Sequence, residues 1–304
     1  MNSKWVSFSP HILSKNSTTR TYVLMMVLLS PVIAGAVATL NYLPLAMVSV
    51  CMLTAFLTDM AFSYIVKRKF DFTEISSLFI GLVVGLTMPT GASLYVPILG
   101  IIFSIIFIRN IAGGIGKNFV SEIAIATLLS YLIFTADFYL FQNGNAVVGR
   151  SFLDRVMAGD VATVSYTSLL FGGFTGTIAD TSIFWLLVAG IAAIVLNILD
   201  FRVPVAMLAS TFGFACLFFE FNTAINLTFA GGVILVALFV ATDYAVVPKN
   251  KWLKYLYGIL AGFLTVIIWK FGNYQMAVYY AVVIAGLVGS LVNGVAKSLV
   301  NRRG

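Results

Sequence analysis

Along the chain, apolar runs of sixteen to twenty-four residues alternate with short polar or basic stretches. A helix needs roughly 20 apolar residues to cross about 30 Å of hydrocarbon. The pattern therefore predicts ten transmembrane helices, at about 22–41, 43–66, 73–91, 94–109, 119–138, 183–199, 203–219, 227–247, 255–271 and 276–296. Two of them carry interruptions. The fourth follows Pro89 and contains Pro97, and the eighth ends near Pro248, so broken or re-entrant helices are expected there.

Ten helices divide into two sets of five. The third and fourth spans read GLVVGLTMPTGASLYVPILGIIFSIIF, and the eighth, GGVILVALFVATDYAVV, is followed by a basic hinge and YLYGILAGFLTVIIW. Each pair joins a Gly-rich apolar helix, a break containing Thr and Pro, and a second Gly-containing helix. A repeat of five, being odd, inserts in opposite orientations, as in many transporter folds. The expected fold class is an all-α membrane protein of about ten transmembrane helices in two inverted five-helix halves, 22–138 and 183–304. Both belong to one integral membrane domain, with 1–21 as an N-terminal segment and 139–182 as the one long loop. The breaks at Thr87–Pro89 and Thr242–Asp243 are then expected to face each other near a pseudo-symmetry axis.

Composition agrees with this class. Apolar residues make up 61% of the 304 and charged residues 10%, against about a quarter charged in soluble domains. No signal peptide is evident: the first twenty residues are polar and basic, and the apolar stretch after them is too long for a signal's core. The net charge of +7 comes from basic residues at the ends of apolar spans, so topology explains it and nucleic acid does not. If both termini are cytoplasmic, only Arg150, Arg155 and Lys270 of the 18 Lys and Arg residues lie outside. That strong positive-inside bias makes the loop 139–182 external.

Ionisable residues inside a membrane are costly unless paired or hydrated, so each needs a reason. Asp59 lies in the second span, and its bland reading is a charge reaching the Lys67–Lys69 cluster. Glu122 opens the fifth span, where a carboxylate suits a helix N-terminus. Asp243, beside Thr242 and flanked by apolar residues, is the strongest functional candidate of the three. Lys270 ends its span and is expected to reach outward. Gly113, Gly114 and Gly116, in a loop ending at Asn118, expose backbone N–H groups suited to an anion, although the spacing is not that of a P-loop. Cys51 and Cys216 are isolated and read as packing residues, and no metal-binding or Ser-His-Asp constellation is present. His11 is the only histidine, so a histidine proton relay within the chain is excluded.

Several stretches together resemble one family. Ser9-Pro-His-Ile-Leu-Ser-Lys-Asn-Ser-Thr-Thr-Arg20 is similar to the cytoplasmic SPHIxSKxSTxR opening of the RnfD proteins of the Rnf complex. That complex is the ion-translocating ferredoxin:NAD⁺ oxidoreductase, and its RnfD component is homologous to the NqrB component of the sodium-pumping NADH:quinone reductase. Gly113-Gly-Ile-Gly-Lys-Asn118 resembles the family's GGxGxN turn, Gly176-Thr-Ile-Ala-Asp-Thr-Ser182 its GSIGETS segment and Phe201-Arg-Val-Pro204 its WRIP segment. Ala241-Thr-Asp243 with Pro248 resembles its ATDPVTAP stretch. The matches run in order from residue 9 to 248.

The resemblance implies a redox subunit in a prokaryotic cytoplasmic membrane, holding flavin and coupling electron transfer between ferredoxin and NAD to Na⁺ or H⁺ movement. It also implies partners: the complex's iron–sulfur and flavin subunits. The family esterifies FMN to a Thr or Ser in an external DAVSGATPLA motif. Here the corresponding stretch is Asn145-Ala-Val-Val-Gly-Arg-Ser-Phe-Leu-Asp154, which puts Ser151 at the acceptor position, with Arg150 beside it to steady a phosphate. The leading Asp has become Asn145, and Ala-Thr-Pro has become Arg-Ser-Phe. Thr167 is a second acceptor candidate. The Gly113–Asn118 loop is expected to contact flavin, and Thr242 with Asp243 to line the central break. The reading leaves room for a second, non-covalent flavin such as riboflavin. Two rival classes fit the physical pattern, a solute transporter or channel and a structural assembly subunit without flavin.

Overall fold

The computed structural model describes the chain except residues 1–17, 67–74, 112–117, 144–145, 149–150, 159–165, 172–174, 231, 245, 273–274 and 302–304. Each of the ten expected apolar segments falls on a helix. α1 (Thr18–Leu40), α2 (Leu43–Ile65), α3 (Ser76–Thr87), α4 (Val96–Phe103) and α5 (Glu122–Ile133) form the first set. After α4 the chain winds on as a π-helix, Ser104–Asn110. Next come a two-stranded hairpin, β1 (Phe141–Asn143) with β2 (Ala146–Val148), and two short helices, α6 (Phe152–Met157) and α7 (Tyr166–Phe171). α8 (Ile183–Val195), α9 (Arg202–Phe218), α10 (Phe221–Phe229), α11 (Val233–Leu235), α12 (Lys251–Phe271) and α13 (Ala277–Asn301) form the second set, with a π-helical turn Val236–Val240 after α11.

Several helices are shorter than their apolar runs: α3, α5 and α8 have 12, 12 and 13 residues. Three among the described residues, Thr19–Leu40, Leu43–Ile65 and Lys251–Phe271, are long and apolar enough to cross a membrane singly. α10 and α11 make a fourth when taken as one span bent by 61°. The eighth segment therefore breaks at Ala230–Gly232, where Gly232 has φ +71, as well as at Thr242. A side chain is strained at that φ, so glycine is the residue for this bend. Large apolar residues line the outer faces of several helices: Leu53, Ile191, Val195 and Leu217 are between 59% and 76% exposed. On a helix bundle this is a surface made for lipid, and the chain is a membrane protein with several apolar helices.

Local chemistry sets the turns. Asn41 adopts the left-handed conformation (φ 59) after α1, a common helix stop for Asn. Pro44 then stands in the first turn of α2, where its missing N–H costs nothing. Small residues set the close approaches. A Cβ on Gly81 would lie 2.5 Å from the Cys51 carbonyl oxygen, so α3 rests directly on the backbone of α2. Gly258 and Gly262, one turn apart on α12, do the same against Val203 and Met207 of α9. Gly81 with Gly85, and Gly258 with Gly262, have the small-xxx-small spacing of membrane helix contacts.

The turns collect at two ends. At one, Pro89 bridges Thr177, the Gly91 N–H donates to the Leu140 carbonyl at 3.1 Å, and Gln275 reaches Asp154. At the other, Lys254 meets Asp200, and Ser290 donates to the Phe119 carbonyl at 2.9 Å. The 21-residue α12 separates Lys254 from Gln275 by about 30 Å at 1.5 Å per residue. This corrects one expectation. Thr87 and Pro89 line a cavity at the Gln275 end, whereas Thr242 lines one at the Lys254 end. The two breaks do not face each other, because they open onto cavities at opposite ends of α12. The partner of the Thr87 break is the Ala230–Gly232 bend, since Ala230 lines the same cavity.

Candidate functional site

The expected site residues separate into two places. Gly113, Gly114 and Gly116, with Asn145 and Arg150, lie outside the described residues. Asn118, where the glycine loop returns, is 5% exposed and donates through Nδ2 to Glu122 Oε1. Glu122 is the first residue of α5, capped by Ser121, and is buried, with its backbone carbonyl accepting from Ser104 Oγ at 2.6 Å. It interacts electrostatically with Arg109, Asp243 and Asp59. Asn118 and the Thr242–Asp243 break thus reach one cluster, although they are far apart in sequence.

Arg109 is the centre of this cluster. It lies in the π-helix after α4 and is 1% exposed, with Nη2 3.6 Å from Asp59 Oδ2 and donating to Ser76 Oγ. Asn110, the next residue, donates through Nδ2 to Asp59 Oδ1 at 3.1 Å. A π-bulge shifts the residues beyond it to a new face. Here that places Arg109 and Asn110 side by side against Asp59. The described partners of Asp59 are thus in the bundle, while Lys67–Lys69, the cluster it was expected to reach, lie outside the described residues. Among the described residues, four buried polar atoms of this cluster have no hydrogen-bond partner: Asp59 Oδ2, Arg109 Nη1, Asn118 Oδ1 and Glu122 Oε2. Donors and acceptors left unsatisfied in one buried place call for a polar occupant. Nothing in the sequence marks Arg109 for this role beyond its charge beside an apolar span.

Ser151 stands at the opposite end. It is the N-cap of α6, with Oγ accepting the Asp154 N–H at 3.0 Å and Asp154 Oδ2 accepting the Ser151 N–H at 3.1 Å. This is a reciprocal capping box. Gln275 Nε2 lies 3.5 Å from Ser151 Oγ and 2.9 Å from Asp154 Oδ2. Ser151 is 3% exposed. The cavity beside it, lined by Thr87, Phe138, Phe141, Phe152, Asp180 and Gln275 among others, gives a water-sized volume of about 20 Å³, enough for one water. Among the described residues the acceptor hydroxyl is thus engaged and covered. Thr167, in α7, is exposed. Asp180, in the segment like GSIGETS, is a second residue whose role emerges only in the structure. Its Oδ1 accepts the Gly232 N–H at 3.0 Å and its Oδ2 the Thr177 N–H at 3.0 Å, pinning the helix bend to the loop.

Beyond Thr242, a cavity of about 240 Å³ opens at the Lys254 end, lined by Leu199, Asp200, Tyr244, Pro248, Lys249 and Lys254 among others. Asp200 sits between Lys254 (2.7 Å) and Arg202 (2.9 Å). Partial burial pushes its carboxyl up, but hydrogen bonds from Lys254 and Arg202 outweigh this and hold it below the usual carboxylate range. Lys270, exposed at the far end of α12, lies over the Phe219 ring as an outward-reaching cation would. Cys51 is fully buried and Cys216 half-buried, both free, as packing residues.

Known proteins are similar to this sequence over nearly its whole length. It is 27% identical to the D subunit of the Na⁺-translocating ferredoxin:NAD⁺ oxidoreductase complex of Acetobacterium woodii, over 96% of this chain and 93% of that protein. It is 24% identical to the D subunit of the ion-translocating oxidoreductase complex of Methanosarcina acetivorans, over 96% and 95%. It is 23% identical to the D subunit of the proton-translocating ferredoxin:NAD⁺ oxidoreductase complex of Clostridium ljungdahlii, over 95% and 93%. The model of the NQR2, RnfD, RnfE family matches residues 5–300, and the chain belongs to that family.

Proposed function

We propose that this chain is the RnfD-type membrane component of an Rnf complex, in which electron transfer between ferredoxin and NAD⁺ drives Na⁺ or H⁺ across the cytoplasmic membrane. The family match over residues 5–300 carries this reading. Full-length relatives named for ferredoxin:NAD⁺ oxidoreductase complexes support it. By itself the chain would not turn over; the iron–sulfur and flavin subunits of such a complex would bring electrons to it. The same reading takes all ten apolar segments as spans in two inverted halves. Both termini would be cytoplasmic, with the Lys254 end inside and the Ser151 end outside, as the distribution of basic residues favours.

A flavin in this chain would be held without an ester, at the Arg109–Glu122 cluster. Arg109 Nη1 and the Asn118 amide would contact its polar edge, and Asp59 would keep Arg109 in place. The flavin would supply one- and two-electron transfer, while the protein supplies position and polarity. The carboxylate-rich surroundings disfavour added negative charge, so the cluster would tune the flavin's potential as well as hold it. A transporter or channel reading has no specific observation in its favour, since it gives the full-length redox relatives no role.

The test is genetic and biochemical. Membranes from cells lacking this chain should lose ferredoxin-dependent NAD⁺ reduction and recover it when the chain is supplied from a plasmid. Unchanged activity without the chain would remove this reading.

A further inference from the structure

The Lys254 end poses a problem of charge. Lys249, Lys251 and Lys254 fall within six residues at the start of α12, and Arg202 opens α9 beside them. Neither helix has an acidic residue in its first turn, the reverse of what a helix N-terminus favours. Lys254 and Arg202 share the Asp200 carboxylate. Lys249 is exposed and takes part in none of these pairs.

The 240 Å³ cavity lies among these groups, with Lys249 and Lys254 on its wall and Leu199, Val203, Val247 and Pro248 as its apolar lining. That volume is several times the roughly 30 Å³ of a water in the liquid, so a phosphodiester has room. Its surroundings are those of a membrane interface. Tyr244, on its wall, is 59% exposed, and Trp252, in the first turn of α12, is 77% exposed; such aromatic residues sit at headgroup level. An anion reaching this point would bring acyl chains that cover Leu256 and Ile259, both exposed on α12. Basic pockets between helices on the cytoplasmic side suit anionic headgroups.

We propose that this cavity binds the phosphate headgroup of an anionic phospholipid. Lys249 makes the direct contact and Lys254 contributes from its pair with Asp200, whose carboxylate faces the same cavity. The site rests on the cytoplasmic placement of this end proposed above, but not on the redox reading.

The full chain, purified and delipidated in detergent, is titrated with phosphatidylglycerol, phosphatidylcholine or inorganic phosphate. Thermal unfolding and native mass spectrometry are the readouts. Phosphatidylglycerol should be retained and should raise the unfolding midpoint, while phosphatidylcholine and inorganic phosphate should leave it unchanged. Lys249→Gln should bind phosphatidylglycerol about fivefold more weakly, and Lys270→Gln, at the other end of α12, should bind it as the wild type does. Equal responses to both lipids overturn the site, and so does an equal response to inorganic phosphate. Undiminished binding by Lys249→Gln overturns it as well, and because Lys249 is outside the ion pairs, a folding failure does not obscure the result.

Discussion

Gln275, in the turn between α12 and α13, donates through Nε2 to Asp154 Oδ2 at 2.9 Å. The two residues are 121 positions apart in sequence. Their contact holds the capping box of α6 against the end of the second helical set, and with it the hydroxyl of Ser151.

A flavin ester on Ser151 would have to displace that arrangement. The expected intact mass of the chain purified from its complex is therefore that of the unmodified polypeptide, with no flavin fluorescence in denaturing gels. Ser151→Ala should change the mass only by the substitution itself and lose a helix cap, costing about 1 kcal/mol and lowering the thermal midpoint. An FMN-sized increment that disappears in Ser151→Ala would place the flavin there after all.

Asp59 and Arg109 form an ion pair with side chains only 3% and 2% exposed. Removing one partner leaves a buried charge without its neighbour, which costs about 3–5 kcal/mol. Asp59→Leu and Arg109→Met should each lower the yield of monodisperse protein sharply. The double variant should recover much of it, since an apolar pair of similar volume is often neutral. A double variant as unstable as the sum of the singles would mean that the pair acts through other contacts.

Much of this was legible in the sequence, and the rest hid for physical reasons. Apolar runs located every long helix because lipid and core make the same demand on side chains. They overstated the length of some helices: the run that contains α3 extends past Thr87 into a turn whose residues Met88 and Thr90 stay buried. The bend at Ala230–Gly232 has a mark in the sequence, the pair Gly231-Gly232, but the apolar run on both sides hides it. Ser151-Phe-Leu-Asp154 carries the pattern of a capping box, and that box engages the same hydroxyl that the flavin motif points to. The pairing of Arg109 with Asp59 could not be read at all, because a π-helix between Ser104 and Asn110 changes which face Arg109 presents.

Glycines on α9 and α12 should respond unequally to substitution. A Cβ on Gly262 would lie 2.7 Å from the Met207 carbonyl oxygen, a backbone atom that cannot step aside. Gly262→Ala should therefore cost about 1–3 kcal/mol through overpacking. Gly213→Ala on α9 meets nothing within 4 Å and should gain about 0.5–1 kcal/mol from helix propensity. Thermal midpoints of the two variants in one detergent should move in opposite directions; a shared sign would count against the close approach.

The Asp200 clasp should make stability depend on acid pH in one direction. Hydrogen bonds from Lys254 and Arg202 hold the folded carboxyl below its ordinary value, about 3.9. A depressed folded value means that stabilisation is fully present above the unfolded value and fades as pH falls through about 4. Asp200→Asn should thus lower the midpoint at pH 7 by the same amount as at pH 6, and by progressively less below about pH 4. The side chains are 21% to 27% exposed, so solvent and salt screen the interaction and the effect stays under about 1 kcal/mol. Adding salt at pH 7 should shrink it further. A difference between Asp200→Asn and wild type that grew on acidification would have the wrong sign for an ion-paired carboxylate.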